Sequence, residues 1–201
     1  MTLYQTDYQK LLLNVILNRP ELYAILKQLV LIEPRAYLSA GVLRNTVWAF
    51  LHGQTFDLTN SEIDVIYYDE QESNHHLQQR LRQKLEGFFP QQQWDVVNQA
   101  LVHTWYRKEN GEPIQPISSI EHALSLWPET ATAIAVRLNS SGELELIAPF
   151  GLQDLFELKL LWNSALVNYG TFKQRVNSKK WLQRWSKLQW VDPTTKDGIL
   201  E

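Results

Sequence analysis

The most informative segment of this chain reads Glu62-Ile63-Asp64-Val65-Ile66-Tyr67-Tyr68-Asp69. Its β-branched and aromatic residues predict a β-strand. Because side chains alternate between the two faces of a strand, Glu62 and Asp64 should project to the same side. Two neighbouring negative charges repel each other and contribute no apolar packing. A hard cation such as Mg²⁺, bound by carboxylate oxygens, would remove this repulsion.

The composition restricts the class of protein. The chain has 201 residues, enough for one domain that buries roughly 70% of its unfolded surface. It has no cysteine, which excludes disulfides and thiolate metal sites. The net charge of −3 provides no general attraction to nucleic acid. The N-terminus lacks the pattern of a signal peptide, and the apolar stretches are shorter than the ~20 residues of a membrane span. We therefore expect a cytoplasmic protein with no membrane partner and no strong sign of nucleic-acid binding.

The residues before this strand have mainly helical spacing. Apolar positions predict helices over 6–18 and 21–32, followed by a short strand over 36–39. A further helix is predicted over 42–52, with Gly53 placed to end it.

The residues after this strand alternate between helical and strand patterns. In order, they predict a helix over 74–88, a strand over 94–102, a loop over 108–116, a helix over 118–127, a hairpin over 131–147, and helices over 153–167 and 171–188. This order predicts an α+β fold with a small mixed sheet flanked by helices. We expect one compact domain, with a helical N-terminal segment (1–34), a core (35–150) and a helical C-terminal segment (151–201). The tail from Asp192 onward is expected to fray.

The junction between the predicted strand 36–39 and the next helix offers a phosphate site. The first N–H groups of a helix lack intrahelical acceptors and attract anions. Gly41 stands at this junction, where the missing side chain would let a phosphate approach the backbone. Arg44 and Asn45, one turn later, could donate further hydrogen bonds. Such junctions occur in most α/β proteins, and a pair of acids at a strand end is commonly a solvated edge, so the structural alternative stays open.

Other polar residues extend the candidate site. Two-metal sites for phosphoryl or nucleotidyl transfer commonly use a third carboxylate, and Asp95, near the start of the next strand, is the best candidate. Asn98 and Gln99 could contact a base or ribose, although buried amides that cap backbone groups are equally common. Arg137, on an otherwise apolar strand, could pair with an acid or a phosphate, or face solvent.

These motifs resemble the DNA polymerase β-type nucleotidyltransferase superfamily. That superfamily places an apolar-Gly motif at a helix N-terminus, here Ala40-Gly41-Val42, before an acid-apolar-acid-apolar strand, here Glu62-Ile63-Asp64-Val65. The chain resembles, more specifically, a family of small bacterial nucleotidyltransferase-like proteins from about residue 36 to 185. The resemblance is carried by Ala40 to Trp48, Glu62 to Asp69, Asn98-Gln99-Ala100 with His103, Trp127 to Ala133, Val136-Arg137-Leu138, Ala148 to Leu152, Asp154-Leu155-Phe156, and Arg175 with Lys179 and Trp181.

The acid pair and the resemblance together predict a metal-dependent nucleotidyltransferase. Such an enzyme moves a nucleoside monophosphate from a nucleoside triphosphate to an acceptor hydroxyl, here unidentified. Mg²⁺ or Mn²⁺ would be held by Glu62, Asp64 and Asp95. The predicted nucleotide and phosphate contacts are Gly41, Arg44, Asn45, Asn98 and Arg137.

Two departures from the superfamily pattern support an alternative. Glu62 stands where Asp is more usual, and Val42 stands where a small hydroxyl residue is common. The alternative is a catalytically inactive member of the same fold that binds nucleotide or a protein partner. A third interpretation, a stand-alone structural protein or a toxin–antitoxin partner, rests only on the size of the chain and its aromatic C-terminal helix.

Overall fold

A computed structural model describes residues 7–193, in which helices and strands alternate. The helices are α1 (Tyr8–Leu17), α2 (Pro20–Ile32), α3 (Ala40–Leu51), α4 (His76–Phe88), α5 (Val102–Trp105), α6 (Ile120–Ser125), α7 (Gln153–Phe156), α8 (Tyr169–Ser178) and α9 (Trp181–Arg184). The strands are β1 (Tyr37–Ser39), β2 (Glu62–Tyr67), β3 (Gln93–Asn98), β4 (Ala135–Leu138), β5 (Leu144–Ile147), β6 (Lys159–Leu160) and β7 (Gln189–Trp190). Between residues 7 and 193, no helix has the length and apolar character needed to cross a bilayer.

The main sheet has five strands in the order β3-β2-β1-β4-β5. Strands β2 and β3 run parallel, whereas the other neighbouring pairs are antiparallel. A second, two-stranded sheet joins β6 to β7 in parallel. The small mixed sheet flanked by helices confirms the predicted α+β fold.

The two faces of the sheet have different partners. Along β2, Ile63, Val65 and Tyr67 point into the main hydrophobic core with the helices. We call this the core face. Residues at alternate positions, among them Asp64 and Ile66, point to the opposite side, which we call the open face. The period-2 pattern of β2 therefore separates its apolar and acidic side chains, as the sequence predicted.

The segment between β3 and β4 covers only part of the open face. Ile120 and Leu124 of α6 pack near Ile66, and Ile114 and Ile117 of the preceding loop form a small cluster beside them. Glu62, at the start of β2, stays exposed. One end of β2 is thus buried under this segment, while the acidic end remains accessible.

Strand β1 brings the start of α3 beside the acids. Ser39, its last residue, pairs with Asp64 across the antiparallel ladder, and its hydroxyl donates to the Asp64 backbone carbonyl at 3.2 Å. Helix α3 begins at the next residue, Ala40, which has a φ of 54°. The left-handed conformation is unusual for a residue with a Cβ, and it turns the chain sharply into the helix. Gly41 is consequently placed next to Asp64.

The C-terminal segment differs from its prediction. The helix expected over 153–167 ends at Phe156, because Leu158 has a φ of 57° and residues 159–160 pair with residues 189–190. The helix expected over 171–188 is divided into α8 and α9 at Lys180, which has a φ of 53°. Pairing between distant residues here replaces the local helical preference.

Two other boundaries also move. The strand expected over 94–102 ends at Asn98, whose side chain accepts a hydrogen bond from the Ala100 N–H and starts a 3₁₀ turn over Gln99–Leu101. The hairpin expected over 131–147 begins with a 3₁₀ turn, Thr130–Thr132, before β4. The first residue of the helix predicted over 6–18, and the predicted tail from residue 194 onward, lie outside the described residues.

The C-terminal segment packs into the main core, which predicts a large cost for truncating its buried aromatic ring. Phe172 of α8 is 0% exposed, whereas Leu182 of α9 is 41% exposed. We expect Phe172→Ala to lower the free energy of unfolding by about 3–5 kcal/mol. The matched Leu182→Ala variant should change it by less than about 1 kcal/mol. Urea unfolding of both variants checks this, and equal effects would contradict the packing described here.

Candidate active site

Two paired carboxylates lie at the acidic end of the open face, and a third precedes them on β2. Asp64 of β2 and Asp95 of β3 are directly paired in the parallel ladder. Neighbouring strands are about 4.8 Å apart, so these two side chains are close neighbours. Glu62 lies two residues before Asp64 on the same face. The register of β2 and β3 places Asp64 beside Asp95, and the prediction that all three residues form one metal site stays a prediction.

Burial and like charges act on Asp64. Burial, together with the charges of Glu62 and Asp95, raises the pKa of Asp64 to about 6. A hydrogen bond from the Gly41 backbone N–H and the positive charge of Arg44 oppose this rise in pKa. The carboxylate is therefore held in a position where its own ionisation is disfavoured.

The other two carboxylates also lack a close cation. Burial and the charge of Glu62 raise the pKa of Asp95, while Arg82 opposes the rise. Among residues 7–193, no Lys, Arg or His nitrogen lies within 4 Å of a carboxylate oxygen of Glu62, Asp64 or Asp95. The described part of the chain leaves this negative cluster without an ion-pair partner.

The start of α3 lies beside this cluster. A Cβ added to Gly41 would lie 3.7 Å from Asp64 Oδ2 and 3.8 Å from Arg44 Nη2, which is ordinary contact distance. Packing alone would therefore tolerate a methyl group at this position. The missing side chain instead leaves space around the first turn of α3, where Ser39 provides no side-chain cap. Uncapped N–H groups there can donate hydrogen bonds to an anion.

Arg44 is buried in the protein rather than exposed in the site. Its guanidinium donates to Thr132 Oγ1 at 2.8 Å and lies 3.9 Å from Glu129. The rings of Trp48 and Trp181 lie 4.9 and 4.2 Å from its central carbon. Burial lowers the pKa of Arg44 to about 10, so the group still carries its charge at neutral pH. It contributes positive potential near Asp64 from inside the fold.

The Arg44 side chain is held by further polar contacts. Asn45 Oδ1 accepts hydrogen bonds from Arg44 Nε at 3.3 Å and Nη2 at 3.1 Å. Glu129 is fully buried and accepts from Arg175 Nε of α8 at 2.9 Å. Asn45, expected to contact phosphate, thus orients Arg44 in this structure.

Two predicted contacts lie apart from the carboxylates. The Asn98 amide is fully used, since it donates to Asp69 O and Glu72 Oε2 and accepts from the N–H groups of Asp69 and Ala100. Arg137 of β4 forms an ion pair with Glu145 at 2.6 Å and lies over the Tyr37 ring. Both groups have structural partners in the fold, and their contact with a nucleotide stays a prediction.

Sequence reasoning missed a cavity of about 240 Å³ beside Asp64 and Asp95. Gln99, Trp105 and Trp127 contribute to its lining. Several aromatic residues between β3 and β4 were the available signal, but their order along the chain does not reveal which of them face one another.

The donor set suits a hard divalent cation. Within residues 7–193, no three His, Asp or Glu side chains are grouped closely enough to form a complete metal cage. Mg²⁺ does not require one, because it is usually held by one or two carboxylates together with water and substrate phosphates. The paired Asp64 and Asp95, with no cationic partner, fit this mode of binding.

Comparison with solved structures shows the relationship of this fold to known proteins. A protein solved by NMR and described as a CCA-adding enzyme head domain has a TM-score of 0.74 and 26% identity, over 90% of this chain and 94% of that one. The Thermotoga maritima CCA-adding enzyme complexed with tRNA has a TM-score of 0.57 and 16% identity, over 94% of this chain and 43% of that one. A CCA-adding enzyme in complex with ATP has a TM-score of 0.59 and 18% identity, over 94% of this chain and 44% of that one. The chain therefore spans less than half the length of these two enzymes.

Sequence comparison gives the family. No curated protein matches the chain. A family model described as nucleotidyltransferase matches residues 25–190. Together with the structural matches, this confirms the resemblance to the polymerase β-type nucleotidyltransferase fold. Because the match extends over most of its length, the chain belongs to the nucleotidyltransferase family.

Proposed function

We propose that this protein is a metal-dependent nucleotidyltransferase that uses a nucleoside triphosphate as donor and a hydroxyl group as acceptor. The observation that carries the proposal is the paired Asp64 and Asp95, with Glu62 beside them, next to the N-terminus of α3. A cluster of negative charges without a cation is costly to a fold unless it binds something positive.

Each element of the site has a role in this proposal. The first turn of α3 binds the phosphates through backbone N–H groups, and Gly41 keeps that approach open. The carboxylates of Glu62, Asp64 and Asp95 hold Mg²⁺ or Mn²⁺. When bound, the metal neutralises phosphate charge and activates the attacking oxygen. The Gly41 N–H fixes the Asp64 carboxylate, and Arg44 stabilises its ionised form through its nearby charge.

The structural relatives support a nucleoside triphosphate as donor. Two of the matched CCA-adding enzymes are complexes with ATP and with CTP. The structural similarity does not identify the acceptor, because the match covers only 43% of the T. maritima enzyme that was solved with tRNA.

Specific observations favour a second candidate, a member of the fold that binds nucleotide without turnover. Glu62 occupies the first acid position and is exposed, and its side chain is one methylene longer than that of Asp. The described residues also contain no complete cage of three metal-binding side chains. Val42, the other departure, has its side chain buried in the main core and so does not line the carboxylate group.

The first test addresses binding. Asp64→Ala removes the central carboxylate and should abolish Mg²⁺-dependent binding of ATP and CTP, with at least a 100-fold loss of affinity, or about 2.7 kcal/mol. The control Glu70→Ala, at an exposed acid beyond the end of β2, should keep wild-type affinity. Calorimetric titration measures both variants. Absence of binding by the wild type, or equal binding by Asp64→Ala, would refute the proposal.

The second test separates the two candidates through position 62. For an active enzyme, we expect wild-type release of pyrophosphate in the presence of Mg²⁺, and Glu62→Asp should keep this rate within about tenfold because the carboxylate is retained. Glu62→Gln, which removes the negative charge, should lower the rate of pyrophosphate release by more than about tenfold. The inactive alternative predicts nucleotide binding without pyrophosphate release by the wild type.

The third test uses the stability cost of the carboxylate group. The folded protein holds a proton on Asp64 up to a pKa of about 6, whereas the unfolded chain loses it near the ordinary value of 3.8. Folding therefore binds a proton between these values, and this contribution to stability is fully present below about pH 4 and lost as the pH rises through about 6. In the Asp64→Asn variant this side chain does not titrate, so the variant avoids the loss of stability at higher pH.

We expect Asp64→Asn, without metal, to be more stable than wild type at pH 7.5 by up to about 3 kcal/mol, and to show little gain at pH 4. Urea unfolding at both pH values, with EDTA present, measures the difference. The control Glu112→Gln, in an exposed loop, should show no comparable change. A gain for Asp64→Asn that is equal at both pH values would disprove this account of Asp64.

A further inference from the structure

The cavity beside the carboxylates lies on one side of Asp64. Its floor is formed by open-face residues of the two parallel strands, Asp64, Ile66, Asp95 and Val97. Its walls come from the segment between β3 and β4 and from Leu166 and Val167. Strand β1, which leads into α3, borders β2 on the edge opposite to β3. The cavity and the start of α3 therefore flank Asp64 from different directions.

The lining of the cavity is suited to a flat ring. Aromatic side chains of Trp105, Tyr106 and Trp127 contribute to its walls, together with aliphatic groups such as Ile114. Trp105 is 56% exposed, a large fraction for an indole ring. Aromatic side chains stack on planar ligands, and an exposed one at a pocket is a common contact surface.

Gln99 gives this apolar cavity a polar group. The residue is 6% exposed and lines the cavity. Unlike the neighbouring Asn98, whose amide is fully hydrogen-bonded, the Gln99 side-chain amide has no hydrogen-bond partner among residues 7–193. An amide at the wall of a cavity can offer both a donor and an acceptor to a ligand.

The volume of the cavity restricts its occupant. At about 240 Å³ it is smaller than the ~300–1,000 Å³ of pockets that hold drug-sized ligands. It therefore suits a single ring system rather than a complete nucleoside triphosphate, and the phosphates have a separate site at α3.

We propose that this cavity binds the planar heteroaromatic ring of the acceptor, with the Gln99 amide hydrogen-bonded to the polar edge of that ring. This inference rests on the proposed function and adds the chemical class of the acceptor, a hydroxyl compound that carries a nucleobase-like ring. The ring lies against the aromatic walls, and the hydroxyl group is directed toward Asp64 and Asp95.

The placement is consistent with the transfer reaction. The acceptor oxygen forms a bond to the α-phosphorus, and the bond between this phosphorus and the oxygen bridging to the β-phosphorus breaks. Pyrophosphate leaves with the electron pair, and the hydroxyl proton is released to solvent water. Attacking and leaving oxygens must lie roughly in line. With the acceptor over β2 and β3 and the phosphates at α3, the two substrates reach the carboxylates from different sides.

Nucleosides without phosphate test this cavity independently of the metal site. We would titrate ¹⁵N-labelled protein with adenosine, guanosine, cytidine and uridine and follow the indole N–H signals of Trp105 and Trp127 by NMR. We expect at least one nucleoside to shift these signals. Gln99→Leu should weaken its binding at least fivefold, and Gln91→Leu, at an exposed glutamine, should not.

A second variant fills the cavity instead of changing its polarity. Val97→Phe places a ring over β3 and should abolish the nucleoside-induced shifts, with the fold checked by the remaining signals. A short oligoribonucleotide identifies the source of the ring: tighter binding than the free nucleoside assigns it to a strand terminus, and equal or weaker binding assigns it to a small molecule. Both outcomes support the proposal.

Three results would overturn the inference. These are the absence of any nucleoside-induced shift, shifts that persist in both Gln99→Leu and Val97→Phe, and displacement of the nucleoside by a non-hydrolysable nucleoside triphosphate with Mg²⁺. The last would assign the cavity to the donor base. Binding of Mg²⁺ with inorganic tripolyphosphate, measured in parallel, reports on the carboxylates and α3 alone. If the protein binds a nucleoside but does not bind Mg²⁺ with tripolyphosphate, the proposed function is contradicted and the ring site is not.

Discussion

The pairing of Ser39 with Asp64 is the constraint on which the site depends. It fixes the last residue of β1 opposite the central carboxylate, and the chain enters α3 at the next residue. Because β1 lies between β2 and β4, sliding it by one residue would disrupt ladders on both sides and reverse which side chains face the core. The same register therefore sets the position of the helix N-terminus, the hydrogen bond from Gly41 and the direction of the Asp64 side chain.

A buried charge network joins this site to the C-terminal segment. Glu129 lies between Arg44 of α3 and Arg175 of α8, and the ring of Trp181 lies over both guanidinium groups. Buried ions lose hydration, and their attraction offsets this cost only where the geometry and the hydrogen bonding are good. Here Thr132, Asn45 and the indole rings complete the surroundings of Arg44. A segment that appears peripheral in the sequence thus helps to hold the helix that begins at the site.

The sequence predicted the parts of the site that depend on local periodicity and missed those that depend on distant contacts. Alternation along β2 correctly placed Glu62 and Asp64 on one face, since strand geometry alone determines it. The sequence offered both Asn98 and Gln99 as base or ribose contacts. It could not show that Gln99 lines the cavity while the Asn98 amide is hydrogen-bonded within the fold, because the turn that follows β3 sets the directions of the two side chains. The helix predicted over 153–167 failed because residues 159–160 pair with residues 189–190, far along the chain.

The left-handed backbone at Ala40 has a consequence for how a ligand would be received. An L-residue in this conformation costs about 1–2 kcal/mol, and here the neighbouring ladders and the hydrogen bond from Ala40 N to Ile134 O hold it in place. The conformational entropy of this tight turn is therefore lost when the protein folds and not when a ligand binds. A ligand at the start of α3 would meet a rigid, preorganised backbone. Little of the free energy gained from its contacts would then be lost to ordering the chain, and the affinity would be correspondingly higher.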